Sequence, residues 1–517
     1  MKSAEDATIQ KTTSRKPSLS RRIRRHRGIG QRSAGKSSGQ LARWVWIGAG
    51  ICAIWGINTV NASLTVFAIA LFPILVSLLL IPGEPPVLLF AAAMQWLQAA
   101  AAVFYSDFYG VALSLEGETG GKELAQATWL SLLGVLVVAL GMRVALLKRR
   151  TNAEESALNE AKLIRPGRLF VLYLISLVVF SAISVLAWRV PSFAQPILAT
   201  VGIKWILVFL LAYAVLVQRR QYALLGIVVA IEIAMGLLGF FAGFKSIFFM
   251  LLVVLPARQD AFNGWRFVQF AAVALVMLML AVGWSAIKMD YREHLNQGTE
   301  QQAVLISVRE RVESLGELLG QLNRNRLQSG LEDLVLRASY VKFFAATIAN
   351  VPAIIPYEKG RLWWGAITHV LKPRFLFPDK EALDDSARVS YYTGLQVAGA
   401  GEGTSIGIGY IGESYIDFGP TGMFLPIFLL GLFYGFIYRT CVDLHPVKVV
   451  GFAMATAILM FGAYTVETSN VKLVGGNLMS LIVVGLFAKS VGNRFWQLIS
   501  LQRHTPRTRV RNRSAAR

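Results

Sequence analysis

The stretch Ala127-Thr128-Trp129-Leu130-Ser131-Leu132-Leu133-Gly134-Val135-Leu136-Val137-Val138-Ala139-Leu140-Gly141-Met142-Arg143-Val144-Ala145-Leu146-Leu147 is followed at once by Lys148-Arg149-Arg150. An apolar run of about 20 residues matches the hydrocarbon thickness of a bilayer. A basic cluster directly after it marks the end that stays in the cytoplasm. The rest of the chain repeats this pattern. It predicts spans at 44–60, 62–81, 87–105, 169–188, 197–217, 223–241, 246–256, 267–287, 423–438, 449–464 and 473–487. The fold expected is an all-α integral membrane protein with twelve transmembrane helices. The run 246–256 is short enough for a broken or re-entrant helix.

Composition agrees. Of the 517 residues 55% are hydrophobic and 16% charged, where a soluble domain carries about 25% charged residues. The net charge of +22 is concentrated at the ends. Residues 1–43 and 491–517 read as basic cytoplasmic tails, the first disordered. With the N-terminus inside, the Lys148 linker, the Arg219-Arg220 turn, the Arg258 to Arg266 turn, the Arg439 to Lys448 turn and the C-terminal tail all fall inside. The acidic loop holding Asp107, Glu116, Glu118 and Glu123 falls outside. The basic tails therefore follow the positive-inside rule and suit anionic headgroups; nucleic acid is not an expected partner. Cys52 and Cys441 are not expected to pair, and no Cys/His pattern calls for a metal or cofactor.

The chain divides into a first block of spans, 44–287, a large extracytoplasmic loop, 288–419, and a final block, 420–490. A loop of that length carries structure or function. Leu305, Val308, Val312, Leu315, Leu319 and Leu322 recur at alternating three- and four-residue spacings, one face of an amphipathic helix. A second helix is expected over 338–348, before Val351-Pro352. The loop is close to neutral, so general electrostatics do not explain it.

Gly403-Thr404-Ser405-Ile406-Gly407 matches a serine-hydrolase elbow, and Gly407-Ile408-Gly409-Tyr410-Ile411-Gly412 a dinucleotide loop. Both need strands around them, and the surroundings predict none. The glycines instead predict close backbone packing or a tight loop at the membrane surface. Charges within spans, Lys204, Glu232 and Lys245, are expected to be paired or functional, because each costs about 2.5–3.5 kcal/mol at mid-membrane. A Lys204–Glu232 pair is the structural alternative, and for Lys245 it is snorkelling to the interface.

The segment 361–439 is the most specific. It holds His369, then Lys372-Pro373-Arg374-Phe375-Leu376-Phe377-Pro378-Asp379-Lys380, then Arg388, Thr404-Ser405, and Glu413-Ser414-Tyr415-Ile416-Asp417-Phe418-Gly419 before a span. With Gly243-Phe244-Lys245 and Arg337-x-x-Tyr340, it resembles the bacterial O-antigen and exopolysaccharide repeat-unit polymerases (Wzy-type). That resemblance implies a GT-C-like fold in the inner membrane, with both termini cytoplasmic. It implies metal-independent transfer of a glycan from a polyprenyl-diphosphate-linked oligosaccharide to a sugar hydroxyl, with membrane lipids and, as an open expectation, a chain-length regulator as partners. An O-antigen-type ligase and a glycan transporter are the rival readings.

The chemistry requires positive charge at the diphosphate, and arginine provides bidentate contacts. Arg374 and Arg388 are the expected diphosphate binders, with Arg337, Lys380 and Lys245 in support. Glu413 and His369 are the candidate bases, Glu413 with a structural anchor as its other role. Tyr415 is a candidate sugar contact. A loop salt bridge is the plainer reading for each arginine, and a packed interfacial histidine for His369.

Overall fold

The computed structural model describes residues 42–501, except 116–120, 148–152, 191–192, 241–242, 258–263, 300–303, 373, 375, 378, 381–382 and 400–404. Residues 1–41 and 502–517, most of both tails, lie outside those residues, as do the Lys148-Arg149-Arg150 cluster, Glu116, Glu118 and Thr404; the expected C-terminal tail starts later than 491, because α19 runs to Ile499. Among the described residues every regular element is helical, and one isolated antiparallel bridge joins Ile164 to Ser500.

The helices are α1 (Ala42–Ile57), α2 (Ala62–Leu79), α3 (Val87–Phe108), α4 (Gly121–Leu146), α5 (Ala153–Leu163), α6 (Pro166–Arg189), α7 (Ala194–Gln218), α8 (Tyr222–Leu237), α9 (Lys245–Val254) and α10 (Gly264–Leu295). Then follow α11 (Val308–Gly320), α12 (Arg324–Ala338), α13 (Val341–Asn350), α14 (Arg361–Leu371), α15 (Asp385–Thr393), α16 (Tyr410–Gly422), α17 (Phe424–Leu444), α18 (Lys448–Gly462) and α19 (Asn470–Ile499).

Eight of the described helices are long and apolar enough to cross a membrane: α2, α3, α4, α6, α7, α10, α17 and α19. The chain is a helical membrane protein. Four shorter apolar helices, α1, α8, α9 and α18, coincide with the remaining expected spans. Broad apolar faces on α1, α6 and α10 stay exposed, among them Ile51, Val178 and Met279, as lipid-facing surface requires.

The centre of the bundle is built by close backbone approach. On α17, a Cβ at Gly431 would lie 2.1 Å from the Val138 carbonyl oxygen of α4, and one at Gly435 2.7 Å from that of Met142. On α4, a Cβ at Gly141 would lie 2.3 Å from the Phe428 carbonyl oxygen. Where lipid supplies no hydrophobic drive, small residues let helices gain dispersion contact. α18 is apolar around its whole circumference and buried from Val449 to Met460, the signature of an interior helix. Lys204 and Glu232 pair at 2.9 Å, and the Tyr173 hydroxyl donates to the same carboxylate at 2.8 Å. This is the expected structural pairing. Cys52 and Cys441 are both free.

Three segments differ from the sequence expectation. The linker after the fourth span contains α5, whose Ala153, Ala157 and Ala161 stripe is buried; alanines four apart make a flat face that a polar sequence hides from hydropathy. α10 continues as a helix to Leu295, so the large loop begins with a helical stem, tied to α12 by Lys288–Asp333 at 3.3 Å and Arg326–Asp290 at 3.2 Å. α11 forms with a capping box between Ser307 and Glu310, yet Val308 and Val312 of its apolar face are exposed. The second expected loop helix is α13, at 341–350.

Candidate functional site

The site is assembled around α16. Glu413 and Asp417 are four residues apart, on one helix face. The Asp417 carboxylate accepts the backbone N–H groups of Leu362 at 3.0 Å and Trp363 at 2.8 Å, in the first turn of α14. Glu413 Oε2 accepts the N–H of Asn470, the first residue of α19, at 2.9 Å. Its Oε1 accepts from Arg388 Nη1 on α15 at 2.8 Å. Helix N-termini carry unsatisfied donors and partial positive charge, so each carboxylate fixes a helix start. One turn of α16 thus orients α14, α15 and α19 together. Trp363 adds an indole N–H donated to Ser414 Oγ at 3.0 Å. Below this turn, Gly419 adopts φ +69° and kinks the chain ahead of Pro420.

Electrostatics follow from burial. Burial pushes the Glu413 carboxyl up, opposed by Arg388 and the Asn470 N–H. Asp417 is also raised by burial, against its two backbone donors. Burial disfavours the Arg388 charge, but Glu413 and Asp385 outweigh it and raise its pKa above the guanidinium value. Both Glu413 oxygens are engaged. That geometry is the one a structural anchor needs, the alternative role expected for Glu413.

His369, Arg374 and Lys380 gather at the C-terminal end of α14. Lys380 Nζ donates to the carbonyls of His369 at 2.5 Å and Lys372 at 2.8 Å, stabilising the negative end of that helix. Arg374 Nη2 donates to the Lys380 carbonyl at 3.2 Å. Burial, then Lys380, Arg374 and Arg388, push the His369 imidazole down to about 4. Four of the expected residues therefore share one positive field. An open pocket of about 500 Å³ lies here, lined by His369, Lys372, Asp379 and Lys380 together with Gly365, Thr368, Leu376 and Phe377. Trp364 and Leu371 on the same helix are each 68% exposed.

The remaining candidates sit elsewhere. The Lys245 ammonium lies over the Tyr464 ring at 5.8 Å. Arg337 lies within electrostatic reach of Lys288 and Arg292 on α10. Tyr415 is buried between Phe344 and Tyr357, and its hydroxyl donates to the Val351 carbonyl at 3.1 Å. Its ring and hydroxyl are taken by protein, so in this structure it is a packing residue; it was expected to contact sugar.

A third cluster joins α15 to the start of α19. Asp385 Oδ2 pairs with Lys472 at 2.8 Å and accepts from Ser469 Oγ at 3.0 Å. Lys472 also donates to Ser405 Oγ at 2.7 Å. Sequence reading missed Asp385, Ser469 and Lys472. Their signals were Asp385 one turn before Arg388 and a lysine near the start of the last span. The glycine-rich run supplies the close approach expected of it. A Cβ at Gly409, where φ is +90°, would lie 2.1 Å from the Val466 carbonyl oxygen. Gln95 and Gln98 of α3 hold the same 463–466 turn, through the Ala463 carbonyl at 2.6 Å and the Val466 N–H at 3.0 Å.

Comparison with curated proteins and with solved structures found no match. A family model described as a domain of unknown function (DUF8712) matches residues 99–467, more than two thirds of the chain, from α3 through the whole of the site's loop region to the turn before α19. The chain belongs to the DUF8712 family.

Proposed function

We propose that this protein is a membrane polysaccharide polymerase. It joins polyprenyl-diphosphate-linked oligosaccharide units on the extracytoplasmic side of a bacterial inner membrane. In this reading all twelve apolar helices span, both termini are cytoplasmic, and the arrangement is GT-C-like, with residues 288–419 as the outer domain.

One observation carries the reading: a pocket with cationic and apolar lining beside the last span. Lys372, Lys380 and His369 line it with Asp379, Leu376 and Phe377, and Arg374 and Arg388 contribute to the same positive field. A lipid-linked diphosphate has that dual character. The acceptor hydroxyl oxygen bonds to the donor's anomeric carbon, and the bond from that carbon to the diphosphate breaks. The electron pair stays on the departing diphosphate, whose added charge the fixed cations stabilise. A bound diphosphate also offsets the cationic field that, after burial, holds the His369 imidazole down.

The test is a cell carrying Arg374→Ala. Chain growth stops and single lipid-linked units accumulate. Normal polymer length, with the variant still present in the membrane, would sink the proposal. A ligase would instead leave long polymer made but unattached.

A further inference from the structure

Three buried polar groups around the Arg388–Glu413 pair have no hydrogen-bond partner among the described residues. They are Asp385 Oδ1, both side-chain atoms of Asn470, and the Tyr340 hydroxyl. Asp385 is 2% exposed and Asn470 wholly buried. A buried polar group left unpaired costs the full desolvation of that group, so native interiors rarely keep one. Here three lie around one ion pair. Ser469, the neighbour of Asn470, donates to the other oxygen of Asp385, and the Asn470 N–H donates to Glu413. Tyr340 lies in the field of Asp385, Glu413 and Glu467.

The cluster is asymmetric in a useful way. One Asp385 oxygen is clamped by Lys472 and Ser469, which fixes the carboxylate's orientation. The other is left as an acceptor. Asn470 brings one acceptor and two donors, and Tyr340 a hydroxyl that does both. This set of donors and acceptors suits vicinal hydroxyls. The half-exposed Lys472–Ser405 contact forms the outer edge. Arg388 stands one turn beyond Asp385 on α15 and interacts with it electrostatically.

From this geometry we infer that Asp385, Asn470 and Tyr340 form the subsite for the acceptor sugar, with Asp385 as the base that takes the attacking hydroxyl's proton. The inference rests on the polymerase reading and completes it. The proton goes to Asp385 Oδ1, the hydroxyl oxygen bonds to the anomeric carbon, and the diphosphate leaves toward Arg388. Donor and acceptor then meet across one turn of α15. Tyr340 and Asn470 bind and orient neighbouring hydroxyls.

The experiment uses full-length protein in lipid nanodiscs with a defined polyprenyl-diphosphate oligosaccharide, following product length and released polyprenyl diphosphate. Asp385→Asn keeps the shape and the Ser469 contact. It lowers kcat at least about 100-fold, the usual scale of a general base, with the KM for donor little changed, while loss of the Lys472 ion pair lowers the thermal midpoint. Asp385→Glu retains more activity than Asp385→Asn. Tyr340→Phe raises the KM for acceptor about fivefold, the scale of one hydrogen bond, and leaves kcat nearly intact. A smaller kcat loss in folded Asp385→Asn overturns the assignment. Should that variant not fold, an unchanged acceptor KM in Tyr340→Phe overturns it instead. If the wild type itself lengthens no glycan, the polymerase reading falls and this subsite with it. If the wild type polymerises and the variants do not respond, the subsite alone falls.

Discussion

Arg388 and Asn470 grip opposite oxygens of Glu413, at 2.8 and 2.9 Å, so one buried carboxylate ties the loop helix α15 to the last span α19. Removing one partner of a buried pair leaves the other charge uncompensated, a cost of about 3–5 kcal/mol. Glu413→Ala is expected to lower the thermal midpoint sharply in detergent or nanodiscs. Glu413→Gln, whose amide oxygen can still accept the Asn470 N–H, should lose less. If Glu413→Gln abolishes turnover with no loss of stability, Glu413 is a base and the anchor reading is wrong.

Asp417 holds the first turn of α14, which carries His369 and the pocket. Loss of a helix-capping side chain costs about 1 kcal/mol. Asp417→Ala should raise the KM for lipid-linked donor more than it lowers kcat, because it loosens the pocket without touching reacting atoms. Steady-state kinetics separate the two; an unchanged KM would refute the positioning role.

The helix crossing at Gly431 leaves no room for a side chain, with a Cβ 2.1 Å from the Val138 carbonyl oxygen. Gly431→Val is expected to prevent accumulation of folded protein in the membrane. Gly48→Ala, which meets nothing within 4 Å, is the neutral control. Equal membrane yields of the two would contradict the packing.

His369 has a folded pKa of about 4, lowered first by burial and then by three cations. The unfolded chain takes up this proton near pH 6.5. The folded chain does so only near 4, so this histidine's stabilising contribution is complete above about 6.5 and is lost as pH falls toward 4. Histidine-selective NMR, assigned by His369→Asn, should find the ring neutral at pH 6. Adding a short-chain lipid diphosphate should raise the pKa by partly neutralising the field. No change at a saturating concentration would place the diphosphate elsewhere.

Hydropathy read the membrane helices well because each is a long local signal. α2, α7 and α17 needed only their own residues to be recognised. α5 escapes because its buried face is three alanines, and the outer part of α10 escapes because its charges Lys288 and Asp290 find partners on α12. The same contrast holds at the site. Arg374, Arg388 and His369 stood out by type, and the structure puts them in one field. Asp385 and Lys472 did not, since 87 residues separate them and only the fold brings them to 2.8 Å. The role of Glu413 was ambiguous until α19 supplied the second donor. Tyr415 lies in the same motif, and its burial depends on α13 and on Tyr357, which no local pattern announces.

The most direct measurement incubates the purified protein in nanodiscs with a polyprenyl-diphosphate oligosaccharide of defined length and resolves the products by size. The account predicts a ladder of longer lipid-linked glycans, one polyprenyl diphosphate released per bond formed, and its loss in Arg374→Ala. Substrate that stays at its starting length with folded wild-type protein would contradict it.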